Sequence, residues 1–314
     1  MFLNDISLPA RFALIGGRSR RRFGGLIALL ACFFLLVGVA PITAAFAQKK
    51  DDDDEKKLPC NFLSGQFFRK ATSDDITRCL INHDASAANI NTKAENGVTP
   101  LHLAVAFNTE PKVIRALLAG GADVALRDQY GKTPLHLAAG KNPQARIIEA
   151  LLNAGSSVEE RSDGGLTALH WAAIGNPTAA VVKLLIRSGA QINERSDDGA
   201  TPLHFAAANN PDHKVIEELL EAGADVALRD DEQFTPLHMA AISNPSPRVI
   251  KSLIAAGADI NSIDVNGDSA LHLAIANNPE SRVIEALKVP GSEEIGIVEL
   301  TGLYISRFVN LALD

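Results

Sequence analysis

Residues 133–155 read TPLHLAAGKNPQARIIEALLNAG and specify two short helices separated by a break. Thr133 suits a helix cap, and Pro134 suits the first turn, where a missing N–H costs nothing and φ is already helical. Leu135, Ala138 and Ala139 follow at helical spacing, and the alanines imply closely packed neighbours. Asn142-Pro143 interrupts the run. Read locally, Asn142 is the N-cap and Pro143 the first residue of a second helix. Ile147, Ile148, Leu151 and Leu152 give that helix a single apolar stripe, and Gly155 ends it in the left-handed conformation. Val158 then leads into a polar, glycine-containing segment, 159–166, that fits a hairpin-like turn. Two helices this short cannot bury their own stripes, so the unit must stack on copies of itself.

The copies are present. Thr99-Pro100-Leu101-His102, Thr133-Pro134-Leu135-His136, Thr167-Ala168-Leu169-His170, Thr201-Pro202-Leu203-His204, Thr235-Pro236-Leu237-His238 and Ser269-Ala270-Leu271-His272 recur every 34 residues. Ala104, Ala138, Ala172, Ala206, Ala240 and Ala274 keep the same phase, as do Asn108, Asn142, Asn176, Asn210, Asn244 and Asn278. A strict period of this length overrides the two-domain expectation that 314 residues would otherwise raise.

Composition narrows the function. With 30 Lys+Arg against 37 Asp+Glu the chain is acidic, and no dense basic stripe follows residue 70, which disfavours nucleic acid. Three cysteines without a Cys-x-x-Cys pair exclude a zinc ribbon or a disulfide scaffold. Six of the eight histidines occupy the repeated tetrapeptide. Stacked units stand about 10 Å apart, too far for two of these rings to share a metal at about 2 Å. They read as structural hydrogen-bonding groups. Gly131-Lys132-Thr133 resembles the end of a phosphate loop but has Leu126 where the first glycine belongs. Asp264, Asn266 and Asp268 begin like a calcium loop but have Ile275 where the bidentate glutamate belongs. The reading is therefore of a protein with no enzymatic activity, no metal and no cofactor.

The N-terminus reads as an address. Arg18, Arg20, Arg21 and Arg22 precede an apolar run from Gly24 to Ala40, which Ala45-Phe46-Ala47 follows. That is a secretory signal over 1–47 with a mature N-terminus at Gln48, and hence a periplasmic or secreted protein. The alternative is an uncleaved anchor, with residues 24–40 in the membrane and the repeats on the outer side. Export by the general or the twin-arginine route is open, since Gly24-Gly25 departs from the usual twin-arginine continuation. Residues 48–59, with the block Lys49 to Lys57, form a charged, solvated linker.

The Thr-Pro-Leu-His-x-Ala signature, the Leu-Leu-x-x-Gly-Ala-Asp-Val ending at 219–226 and the Asp-x-x-Gly-x-Thr tips resemble ankyrin repeats. The resemblance covers about residues 62–291 and implies an all-α solenoid of helix-turn-helix units with hairpin-like tips. These repeats are one residue longer than the usual ankyrin unit, and the insertion falls at Asn-Pro between the helices. Gln233 stands where the tip glycine belongs, and Ala168 and Ala270 replace the proline. About six repeats occupy 95–291, flanked by an N-terminal capping repeat, 60–94, and a C-terminal capping helix, 292–314, with Ile297, Leu300, Tyr304, Phe308 and Leu311 at helical spacing. Cys60 and Cys79 fall at opposite ends of the capping helix pair, which an antiparallel arrangement brings together. In an oxidising compartment they form a disulfide, the alternatives being a buried or a free thiol.

In the family the ligand is usually a protein held in a groove between hairpin tips and the inner ends of the first helices. Carried onto this chain, the resemblance implies contact positions at Phe107, Gln129, Tyr130, Lys132, Lys141, Leu166, Asp197, Asp198, Asn209, Asp231, Glu232 and Phe234. Tyr130 and Phe234 read either as contact aromatics or as turn aromatics packed on the next tip, and Trp171 reads as packing. The expected partner is a protein, met by a monomer. The alternative is an envelope-anchored tethering protein, or an accessory to an envelope enzyme.

Overall fold

A computed structural model of the chain describes residues 60–81, 90–210, 212–278 and 281–288. The expected signal or anchor, the linker and the C-terminal capping helix lie outside the described residues. Within them are fourteen α-helices in seven pairs. The first pair is α1 (Gly65–Lys70) and α2 (Ser73–Ile81), followed by α3 (Pro100–Phe107) and α4 (Pro111–Ala119), then α5 (Pro134–Lys141) and α6 (Ala145–Asn153). The next are α7 (Ala168–Gly175) and α8 (Ala179–Arg187), and α9 (Pro202–Asn209) and α10 (His213–Glu221). The last are α11 (Pro236–Ser243) and α12 (Pro247–Ala255), and α13 (Ala270–Asn277) and α14 (Ser281–Leu287). Each first helix packs on the first helix of the next pair, and each second helix on the next second helix, so the chain is a solenoid.

The core follows the stripes. Leu135, Ala138 and Ala139 of α5 and Ile147, Ile148 and Leu151 of α6 are fully buried, as are Leu169 and Ala172 of α7 and Val181, Val182 and Leu185 of α8. Alanine at 138, 172, 206 and 240 leaves room for successive first helices to approach without a cavity.

The break between helices works differently from its sequence reading. Asn142 caps the end of α5, donating its N–H to the Ala138 carbonyl, and α6 begins only at Ala145. The side chain is taken by the neighbouring repeat: Nδ2 donates to the carbonyls of Val105 and Asn108 at 2.9 and 3.0 Å. Its Oδ1 accepts the N–H of Gln144. Asn176, Asn210 and Asn244 repeat this pattern, donating to Asn142, Asn176 and Asn210 respectively, and Asn278 donates to Asn244. A buried ladder of asparagine thus runs along the solenoid. An N-cap role would satisfy only one amide, whereas stranded carbonyls of the preceding helix end demand a partner.

The expected disulfide is present, joining Cys60 to Cys79. It closes the capping pair over a cluster of Phe62, Phe67 and Phe68, whose rings meet edge-on and stacked. At the tips the chain turns through glycine with positive φ, as at Gly131 and Gly199, and Gln233 takes the same conformation at φ 65° without being glycine.

Candidate functional site

Histidine builds the start of the first helix in every described pair after the capping one. The Thr133 N–H donates to His136 Nδ1 at 3.0 Å, which leaves Nε2 carrying the proton and donating to the Glu160 carbonyl at 2.8 Å. The same arrangement links His102 to Lys132, His170 to Ala200, His204 to Phe234 and His238 to Ser262. With both ring nitrogens engaged, these side chains are fasteners between the first helix and the hairpin that follows. Burial holds His136, His170 and His204 neutral, with pKa values pushed down to about 4 against opposing backbone hydrogen bonds.

The tips join one another. Asp163 donates its N–H to the Tyr130 carbonyl, Asp197 to Gly164, and Asp231 to Asp198, so each tip hangs on the one before. Asp128 and Asp230 shape their turns by accepting two backbone N–H groups each. Beside them runs a second ladder that the sequence reading missed. Lys93 donates to the Arg127 carbonyl, Arg127 to Arg161, Arg161 to Arg195, Arg195 to Arg229, and Arg229 to Ile263. Arg127 also pairs with Glu160, and Arg161 with Glu194 at 2.6 Å. Arginine recurring every 34 residues at 127, 161, 195 and 229 was the available signal. The row ends at Ile263 and Val265, which are 52% and 62% exposed.

Not every expected contact position faces outward. Gln129, Asp197, Asp198 and Asp231 are exposed, and Phe107, Tyr130, Lys141, Asn209 and Glu232 are half-buried. Leu166, Lys132 and Phe234 are buried, with 0%, 3% and 5% of their surface exposed, and this corrects their assignment as contact residues. Leu166 fills the space under its tip because it is apolar. Phe234 packs inward against the His238 ring of its own repeat, centroids 6.0 Å apart, so it is a turn aromatic that seals its own first helix. Lys132 lays its ammonium over the Trp171 ring at 4.2 Å and the Tyr130 ring at 5.2 Å, where π-electron density replaces water. Trp171 is itself buried, as expected for packing, and donates its indole N–H to Ser162 Oγ.

What remains in reach is a strip across tips and helix ends. Gly140 lies against Trp171, near enough that a Cβ there would be 3.6 Å from the tryptophan Cβ, and Lys141 follows it at the end of α5. Burial lowers the Lys141 pKa, and no charged group contributes. Phe107, at the equivalent end of α3, has the Arg69 guanidinium 4.8 Å from its ring centre. Farther along, burial first, and then repulsion from Asp231 and Asp197, raises the pKa of Asp198.

A family model described as ankyrin repeats matches three times, at residues 68–162, 139–230 and 209–292. The chain belongs to the ankyrin-repeat family. Among solved structures, the ankyrin-repeat domain of Bcl-3, described as a unique member of the IkappaB protein family, is 26% identical with a TM-score of 0.55. The similarity covers 74% of this chain and 99% of that one. The human ASB11 ankyrin-repeat domain is 27% identical with a TM-score of 0.59, covering 72% of this chain and 99% of that domain. No curated protein matches the sequence. Ankyrin repeats generally mediate protein–protein interaction.

Proposed function

We propose that this ankyrin-repeat protein is an exported, non-enzymatic binding module that holds one protein partner across the strip of hairpin tips and first-helix ends. The observation that carries the reading is the division of labour among the repeats. Second helices, histidines and asparagines are consumed by stacking, whereas Gln129, Tyr130, Lys141, Asp198 and Asp231 keep accessible side chains that no neighbouring repeat requires. Export is supported by the arginine-led apolar run and by the Cys60–Cys79 disulfide, a bond favoured outside the reducing cytosol.

Photo-crosslinking tests it. A crosslinker at Gln129 in cells should trap one envelope protein, and one at Arg187, exposed on the second helix α8, should not. Tyr130→Ala should then weaken the trapped complex by about 2 kcal/mol while leaving the fold intact. Equal trapping from both positions would place the partner on another face. Retention of the full-length chain in the cytosol would refute export.

A further inference from the structure

The strip carries two charged zones of opposite sign, two repeats apart. At the first, Lys141 presents an ammonium that burial partly desolvates and that forms no ion pair with any described residue. At the second, Asp198 and Asp231 stand on tips joined by the Asp231 N–H to Asp198 carbonyl bond of 3.0 Å. Arg161 reaches Asp197 at 3.5 Å, but neither Asp198 nor Asp231 has a described cation within ion-pair distance. Lys141 and Asp198 thus form no ion pair with a described residue, whereas the Arg195 guanidinium and the Asp231 carboxylate both lie against Gly199. A uniformly basic segment would be repelled at Lys141, and a uniformly acidic one at the aspartates.

Resting on the protein-binding reading above, we propose that the strip selects an extended partner segment with charges of both signs. Its glutamate or aspartate meets Lys141, and a lysine or arginine farther along meets Asp198 and Asp231. The segment therefore lies in one direction only. Desolvation makes the first contact worth more than an ordinary surface ion pair, because Lys141 already bears part of the cost of leaving water. Like-charge repulsion among the tips makes the second favourable, since a cation there relieves it.

Trp171, the only tryptophan in the chain, lies against Gly140 beside Lys141 and is a built-in reporter. The probe is a synthetic peptide with a glutamate block, a glycine spacer and a lysine block, carrying a dansyl group at one end, titrated into the full chain at low salt. Oligoglutamate and oligolysine of equal length are the comparisons. The block peptide should bind more tightly than either, and Trp171 emission should transfer to dansyl at the glutamate end and much less to dansyl at the lysine end. Lys141→Glu alone, or Asp198→Lys with Asp231→Lys, should weaken binding about tenfold or more. All three changes together should restore binding with the energy-transfer pattern reversed. Oligolysine binding as tightly as the block peptide, indifference to Lys141→Glu, no binding of the block peptide, or no reversal in the triple variant would each overturn the inference. If the peptide fails while the Gln129 crosslink still traps its partner, only the charge pattern falls and the binding module stands. If the crosslink fails as well, both fall.

Discussion

Asparagine at the end of α3, α5, α7, α9 and α11 is bonded in two directions at once, outward to the preceding repeat and forward to its own chain. Asn176 is fully buried, and its Nδ2 is the donor for the carbonyls of both Ala139 and Asn142 at 2.6 and 3.0 Å. Asn176→Ala would leave those buried carbonyls without their donor and the half-buried Thr178 N–H without its acceptor. The loss expected is about 2–4 kcal/mol, more than a methyl-scale packing change, and equilibrium denaturation in urea measures it. A local reading saw an N-cap because Asn-Pro has that meaning within one chain segment. The partners lie 34 and 37 residues away, where local chemistry has no view.

At the scale of the element, a helix pair owes its stability to the pairs on either side. Leu151 and Leu185 are fully buried where α6 packs on α8, and either leucine replaced by alanine should cost about 2–5 kcal/mol. Because stacking is nearest-neighbour, hydrogen exchange should quicken in the adjacent pairs as well as the altered one. The capping pair differs. It has one described neighbour, through α1 on α3 and α2 on α4, so the Cys60–Cys79 bond compensates for a missing second interface. Replacing both cysteines by serine should destabilise the cap by about 2–4 kcal/mol. Exchange should rise in α1 and α2 and stay unchanged in α9 and α10. A uniform rise would show the cap coupled to the whole array.

Across the whole molecule, the buried histidines make stability depend on pH. His136, His170 and His204 titrate near 4 in the folded chain and near 6.5 once unfolded. Between those values the unfolded state binds more protons, so their contribution is complete above pH 6.5 and is lost as pH falls toward 4. Protonation also puts a hydrogen on Nδ1, where the threonine N–H must be accepted, and so attacks every fastener in the same way. Asp230 works in the opposite sense. Burial raises its pKa to about 7, although the N–H groups of Phe234 and Glu232 favour its charge, so it costs stability progressively as pH rises from 3.8 to about 7. Three histidines outweigh one aspartate, and the urea midpoint should fall from pH 7 to pH 5. Asp230→Asn keeps an acceptor for both N–H groups without the charge, and should exceed the parent by more at pH 8 than at pH 5, the two converging only below the unfolded pKa of 3.8. A midpoint flat from 7 to 5 would mean the rings are protonated without loss of the fold.

The sequence by itself determined the 34-residue unit, the phase of the helices, the apolar stripes and the stacking, because each follows from spacing within one chain segment repeated six times. It also placed the two cysteines at meeting ends of one helix pair. Only the tertiary structure decided which polar residues serve the stack and which are left over. Asn142 and Arg161 reach a neighbouring repeat, Lys132 folds over Trp171, and Phe234 turns inward onto His238, whereas Lys141 and Asp198 stay accessible. The reason is geometric. The position just before each threonine is buried under its tip whatever residue fills it, Lys132 and Phe234 as much as Leu166, and only the packing of one repeat on the next shows that the place is closed to a partner.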